Sequence, residues 1–360
     1  MTTATYMPIL KGKQGELWAL REQGYREGVY PIIEVPRIKW DYDAESPAKS
    51  IDSHVSNFLR GFERTLSSIE SCAVDACLLD GDGSDDSTIA LREILERSGA
   101  IGFPVTPTTG LSRPNSYSHV AGVFAKRHAT GCVVRVERED LYDVTELKAA
   151  TEDLLSQLRL RPDEIDLVVD LGFLREDDEH EDLEFVMQAL PQIPYLSRWR
   201  SFWFSGGSFP EFLTSVQADS TEYIPRVEWT IWNGLARGLT TQRVPRYSDY
   251  GVAHPISPDV DGRVMNMSAN IRYTTDHHWL IVKGRSTRSH GYSQFHDLCG
   301  TLVASSDYCG RNFSPGDTYF DDCASEVDGP GNATKWRQAG SSHHMEYVAI
   351  QVEKAKRLLG

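Results

Sequence analysis

Short apolar runs alternate with longer amphipathic stretches along most of this chain. Tyr6–Leu10 is apolar and ends on Lys11-Gly12-Lys13, after which Leu17, Ala19 and Leu20 read as a helix. A strand that stops on charge and runs into a helix is a βα unit. The layout repeats. Tyr30–Ile33 ends on Glu34, and Ile51, Val55, Phe58, Leu59, Phe62 and Leu66 follow at helical spacing. Ala73–Leu79 ends on Asp80-Gly81-Asp82 before a helix that carries Leu91, Ile94 and Leu95 and stops at Gly99. Ile101–Val105 reads as a fourth strand ending on Thr106, with a helix over 117–128. Cys132–Glu137, Ile165–Asp170 and Ser201–Phe204 are the fifth to seventh strands, each followed by a helical pattern.

Seven such units predict a parallel sheet with helices outside, and an eighth would close it. The fold class expected is α/β, a TIM-like (β/α)8 barrel, in preference to an open doubly wound sheet. Two segments compete for strand eight, Arg246–Tyr250 and Trp279–Lys283, the latter with Ile271–Thr274 as a hairpin partner. Whichever is not used becomes an insertion. The expectation is one barrel-type domain over 1–360 with insertions at about 251–290 and 305–340. The stretch Ser305–Gly340 reads as long surface loops, and a last helix covers His344–Leu359.

Composition narrows the function classes. The 360 residues are 40% hydrophobic and 25% charged, with a net charge of −15 and a pI near 5.2. Such a surface repels phosphate backbones and disfavours direct nucleic-acid binding. No run is apolar enough to span a bilayer, no leader pattern opens the chain, and six cysteines lack a CxxC pair; a cytoplasmic protein with reduced thiols and no membrane contact is expected. His290, His296, Cys299, Cys309 and Cys323 match no tight zinc spacing. There is no GxSxG, Walker or GxGxxG motif.

In a barrel, chemistry gathers at the carboxyl ends of the strands. Those ends supply Glu34, Asp80, Asp170 and Asp249 as candidate catalytic carboxylates, with Asp82 and Glu137 beside them. Lys11, Arg135, Tyr250, Arg272 and Lys283 are candidate ligand-binding residues, together with Ser205, Gly206, Gly207 and Ser208, a Gly-rich turn suited to an anion. The carboxylates could hold Mg²⁺, the one cofactor they suggest, or act as an acid–base pair; no residue is assigned as a fixed metal ligand. They could equally form an ion-pair network with Lys11, Arg135 and Lys283. The expected ligand is an anionic small molecule such as a nucleotide. If there is turnover, phosphoester or glycosidic hydrolysis at the mouth is the reaction class. The alternative is a non-catalytic component that recognises a partner protein through Ser305–Gly340 or the loops before Ile271.

The opening YMPILKGKQGELWAL at 6–20 and YPIIEVP at 30–36 resemble the phage-type Beta protein family. The Arg135 strand, Asp170-Leu171-Gly172, SGGSFP at 205–210, YSDYG at 247–251, IRYT at 271–274 and WLIVKG at 279–284 fit the same pattern. The resemblance implies a barrel-type fold and a setting in phage–bacterium conflict, including antiphage defence, but no particular reaction. It brings Lys11, Glu34, Asp170, Asp249, Arg272 and Lys283 forward as motif positions.

Overall fold

Eight parallel strands close into a barrel in a computed structural model that describes residues 4–23, 26–79, 85–239, 243–256 and 267–359. In chain order the strands are β1 (Tyr6–Leu10), β2 (Ile32–Glu34), a small ribbon of β3 (Trp40–Asp41) and β4 (Ser46–Pro47), β5 (Ala73–Asp75), β6 (Thr106–Gly110), β7 (Cys132–Glu137), β8 (Ile165–Phe173), β9 (Ser201–Gly207), β10 (Ser220–Pro225), β11 (Arg246–Asp249), β12 (Ser268–Thr274) and β13 (His278–Ser286). The helices are α1 (Gln14–Gln23), α2 (Ile51–Leu66), α3 (Asp86–Ala100), α4 (Asn115–His128), α5 (Val144–Leu158), α6 (Glu179–Ala189), α7 (Val227–Gly238), α8 (Thr287–His290), α9 (Phe295–Val303), α10 (Pro315–Ala324) and α11 (Ala333–Leu359).

The barrel runs β1-β11-β9-β8-β7-β6-β5-β2. Arg246–Asp249 is therefore strand eight: Tyr6 pairs with Tyr247 and Pro8 with Asp249, while Arg246 pairs with Trp203 on the other side. The competing Trp279–Lys283 segment lies in β13, which pairs antiparallel with β10 and β12 in a separate three-stranded sheet.

Each helix forms because one stripe is apolar. In α2, Ser50 caps the start by accepting the Ser53 N–H, and Val55, Phe58, Leu59, Phe62 and Leu66 are buried against the barrel. Burial of one such side chain is worth about 1.5–3 kcal/mol. The barrel lumen has its own core of Met7, Ile9, Ile32, Ala73, Val133, Val168 and Trp203. The accessory sheet is covered on both faces. Tyr273, Leu280 and Val282 pack with Phe295, Leu302, Phe320 and Trp336, whereas Trp279 and Ile281 pack with Phe209, Leu213 and Val216.

Four sequence expectations shift. The third strand ends at Asp75, not Leu79, because Cys77–Leu79 turns into a 3₁₀ helix. The fourth strand is Thr106–Gly110: Ile101 and Gly102 terminate α3, with Gly102 at φ +81°, and β-branched threonines make the strand instead, the Thr109 hydroxyl bonding to Ser118. Thr106 thus opens that strand rather than ending it. Ser305–Gly340 is not all loop. Ser314 caps α10 through the Asp317 N–H, and α11 begins at Ala333, eleven residues before His344. Among the described residues, no helix is long and apolar enough to cross a membrane.

Candidate functional site

Residues alternate across a strand, so every second position faces the lumen. Continuing Met7 and Ile9 gives Lys11; Ile32 gives Glu34; Ala73 gives Asp75; Val133 gives Arg135; Val168 gives Asp170. Tyr250, one residue beyond β11, completes this uppermost layer. Two apolar levels thus give way to a charged one at the carboxyl end of the barrel.

Arg135 sits at its centre. Its Nη1 donates to Glu34 Oε1 at 2.7 Å and Asp75 Oδ2 at 2.9 Å. Its Nε and Nη2 donate to Asp170 Oδ2 at 3.1 and 2.5 Å, and Nη2 also reaches the Tyr250 hydroxyl at 2.6 Å. The Tyr250 O–H in turn donates to Asp170 Oδ2 at 2.6 Å. Lys11 Nζ donates to Glu34 Oε2 at 2.5 Å and to the Pro255 carbonyl, and lies 4.7 Å from the Tyr250 ring centroid. Arg113 reaches down from the loop after β6. Its Nη2 is 3.1 Å from Glu137 Oε1 and 3.9 Å from Asp75 Oδ2.

Burial sets the electrostatics. It would push the Asp75 carboxyl up, but Arg113 and Arg135 overcome it and hold that group below the usual carboxylate range. Asp170 is held low in the same way, against its burial, by Arg135 and the Tyr250 hydrogen bond. The Tyr250 phenol is pushed well up by burial and keeps its proton. Glu137, at the outer edge, is raised by partial burial. Glu34, Asp75 and Asp170 all turn their oxygens onto one guanidinium, so the positive charge at the centre of this donor set is already supplied by Arg135. The carboxylates do not fit a shared Mg²⁺. Among the described residues, no group of three or more His, Cys, Asp or Glu is arranged for any metal, the His296–Cys299–Cys323 region included.

The other predicted residues divide. Asp80 and Asp82 lie outside the described residues. Asp249 is out of phase with Ser248 and Tyr250 and faces away from the lumen. It accepts the Tyr6 O–H at 2.7 Å, the Gly251 N–H at 3.0 Å and lies 3.0 Å from His344 Nε2, whose Nδ1 is 2.8 Å from the Thr274 hydroxyl. Burial keeps His344 below its ordinary pKa. Asp249 thus pins α11 and the accessory sheet to the barrel wall.

Ser205, Gly206 and Gly207 belong to β9 and are buried rather than forming an open turn. A Cβ on Gly206 would sit 2.5 Å from Leu174 Cδ1, so close packing accounts for that glycine. Ser208 donates both its N–H and its hydroxyl to Glu228 Oε2. Burial raises Glu228 to about 7 despite Arg226 beside it. Lys283 is on the accessory sheet, where Nζ donates to the Leu213 and Val216 carbonyls at 2.5 Å each. Arg272 lies nearer the barrel, donating to the Val252 carbonyl at 2.8 Å and stacking 4.5 Å from the Phe209 ring centroid.

Asp75, Arg113 and Arg337 were not foreseen. Asp75 carried a signal: it is the one charge inside an apolar run, two residues after lumen-facing Ala73. Arg113 and Arg337 sit in a loop and on a helix with no distinguishing pattern.

Fold and site together define an α/β barrel whose carboxyl mouth is closed by an arginine-centred ion network. No curated protein matches the chain. The chain belongs to the Beta protein family, whose model matches residues 6–350 of the 360.

Proposed function

We propose that this Beta-family protein binds a small anionic ligand of the phosphorylated class, such as a nucleotide, on the barrel mouth, in the cytoplasm and in the setting of phage–bacterium conflict. The charged layer carries the reading. A barrel that needed only stability would continue the apolar packing of Ile9, Ile32, Val133 and Val168, because well-packed apolar residues commonly match or exceed a buried ion network in stability. Arg113 adds support. Its Nε is buried yet lacks a hydrogen-bond partner among the described residues, beside the Asp75 and Arg135 network. Phosphoester or glycosidic hydrolysis, with Asp170 as the carboxylate to substitute first, is the turnover to assay once a ligand is found.

The test is native mass spectrometry together with a thermal-shift screen of nucleotides and sugar phosphates. The expected result is a bound mass, or a rise in melting temperature that Arg113→Gln and Tyr250→Phe both weaken. Binding that survives both substitutions, or no binding across the screen, overturns the reading.

A further inference from the structure

We propose that Lys13, Arg272 and Arg337 form a subsite for the phosphoryl group of the ligand at the mouth; this rests on reading the mouth as a ligand site but is carried by different residues. The three cations come from the β1–α1 loop, β12 and α11. Arg272 Nη1 donates to the Val252 carbonyl at 2.8 Å and Arg337 Nη1 to the same oxygen at 2.9 Å. Those two nitrogens are therefore no further apart than the sum of the two distances. The two guanidinium groups share that neutral carbonyl, Arg272 Nε adding one bond to Asn270 Oδ1 at 3.2 Å, and among the described residues no carboxylate lies within ion-pair distance of Arg272, Arg337 or Lys13.

The contrast with Arg135 decides the matter. Arg135 has three carboxylates and is stabilised as a cation. Loss of solvent and the charge of Arg337 instead push Arg272 well below its ordinary pKa. Lys13, exposed on the loop between β1 and α1, is lowered in the same direction by partial loss of solvent and by Arg337. The nearby carboxylate, Glu16, is buried and accepts the Lys13 backbone N–H at 3.2 Å, so it caps α1 and only partly offsets the cluster. An ion-pair network built for stability would not leave two guanidinium groups on one carbonyl with no carboxylate between them. A dianion with three acceptor oxygens meets the need of two forked guanidinium groups and an ammonium.

The position fits the ligand. Lys13 is two residues from Lys11 in the charged layer, and Val252 follows Tyr250 by two. The start of α1 packs closely on α11, where a Cβ on Gly15 would sit 2.9 Å from Arg337 Cβ. This places the first turn of a ten-residue helix beside the cations, where its dipole favours negative charge.

The experiment titrates the full chain with inorganic phosphate and pyrophosphate at constant ionic strength, reading melting temperature and calorimetric binding. Saturable binding is expected, with affinity at least about tenfold lower in Arg337→Gln and in Lys13→Gln, the loss of one charge-assisted contact. Lys13→Gln guards against misfolding, since the Lys13 ammonium holds no carboxylate partner among the described residues. In phosphate-free buffer, Arg337→Gln should melt no lower than the parent, because it relieves repulsion. No saturable binding, unchanged affinity in both variants, or an equal response to acetate would overturn the subsite. Phosphate binding that depends on the rim while no organic ligand binds would sink the mouth reading alone. An organic phosphate bound indifferently to the rim variants would sink the subsite alone.

Discussion

Replacing Arg135 with Met tests the mouth most directly. The substitution keeps much of the side-chain volume and removes the guanidinium. Glu34 keeps Lys11, and Asp75 keeps the Tyr117 O–H, the Cys77 N–H and a distant Arg113. Asp170 keeps only the Tyr250 O–H and the Gly172 N–H, and loses its cation. Stranding a buried charge in this way costs about 3–5 kcal/mol. With an unfolding entropy of about 2.1 cal/mol/K per residue over the chain, 4 kcal/mol lowers the melting temperature by about 5 °C. The sign with pH follows from the same groups. In the parent, Asp75 and Asp170 have depressed pKa values, so their contribution is present above the ordinary carboxylate range and is lost as pH falls through the depressed values. In the variant their pKa values rise, and protonation relieves the penalty as pH falls. The gap between parent and variant should therefore shrink between pH 7.5 and pH 4.5 in scanning calorimetry. Asp170→Asn added to Arg135→Met should recover about half the loss at pH 7.5. A gap that is equal at both pH values and untouched by Asp170→Asn would mean that lost packing, not stranded charge, is the cost, and would refute the argument.

Other substitutions separate structure from site. Glu228 is raised by burial to about 7, so its share of stability is full below its ordinary value and declines as pH rises toward 7; Glu228→Gln should gain on the parent between pH 5 and pH 8 by up to about 3 kcal/mol, and a pH-independent difference in melting temperature counts against it. Gly12 has φ +61°, and an added Cβ would meet the Glu34 carbonyl at 2.5 Å, so Gly12→Ala should cost about 2 kcal/mol, with an unchanged melting temperature ruling the strain out. His344→Ala removes the link between Asp249 and Thr274 and should destabilise by about 2–4 kcal/mol while leaving ligand response at the mouth intact; loss of ligand response in a folded variant would return Asp249 to the site.

Most of the barrel was legible because its wall is built from local patterns. Seven strand–helix repeats could be seen in the periodicity, and Cys132–Glu137 matches the observed strand at both ends. The fourth strand is shifted five residues from the apolar run Ile101–Val105, because apolarity is an incomplete mark of a strand. Threonine has the backbone preference without the hydrophobicity, and Thr109 meets its polar need through Ser118. The accessory module was less legible for another reason. Its β12–β13 hairpin is local, but the third strand, β10, joins β13 from more than fifty residues upstream, and its polar stretch 305–340 folds around Tyr273 and Asp317, a contact across 44 positions that no local window contains.

The site itself turned on strand phase. Glu34, Arg135 and Asp170 were found by where strands end, but Asp249 was found by the same rule and faces the wrong way. Ser248 shares the lumen phase of Tyr250, and a neighbour one residue away must face the helices. Applied to β5, the same parity would have chosen Asp75 as the partner of Ala73. Position along a strand tells only how high a side chain sits in a barrel; phase tells whether it is inside. The two together yield Lys11, Glu34, Asp75, Arg135, Asp170 and Tyr250, and these six are joined in one network. Arg337 escapes both rules, since it enters from α11, and only a charge balance of the folded rim, cation by cation, brings it into view.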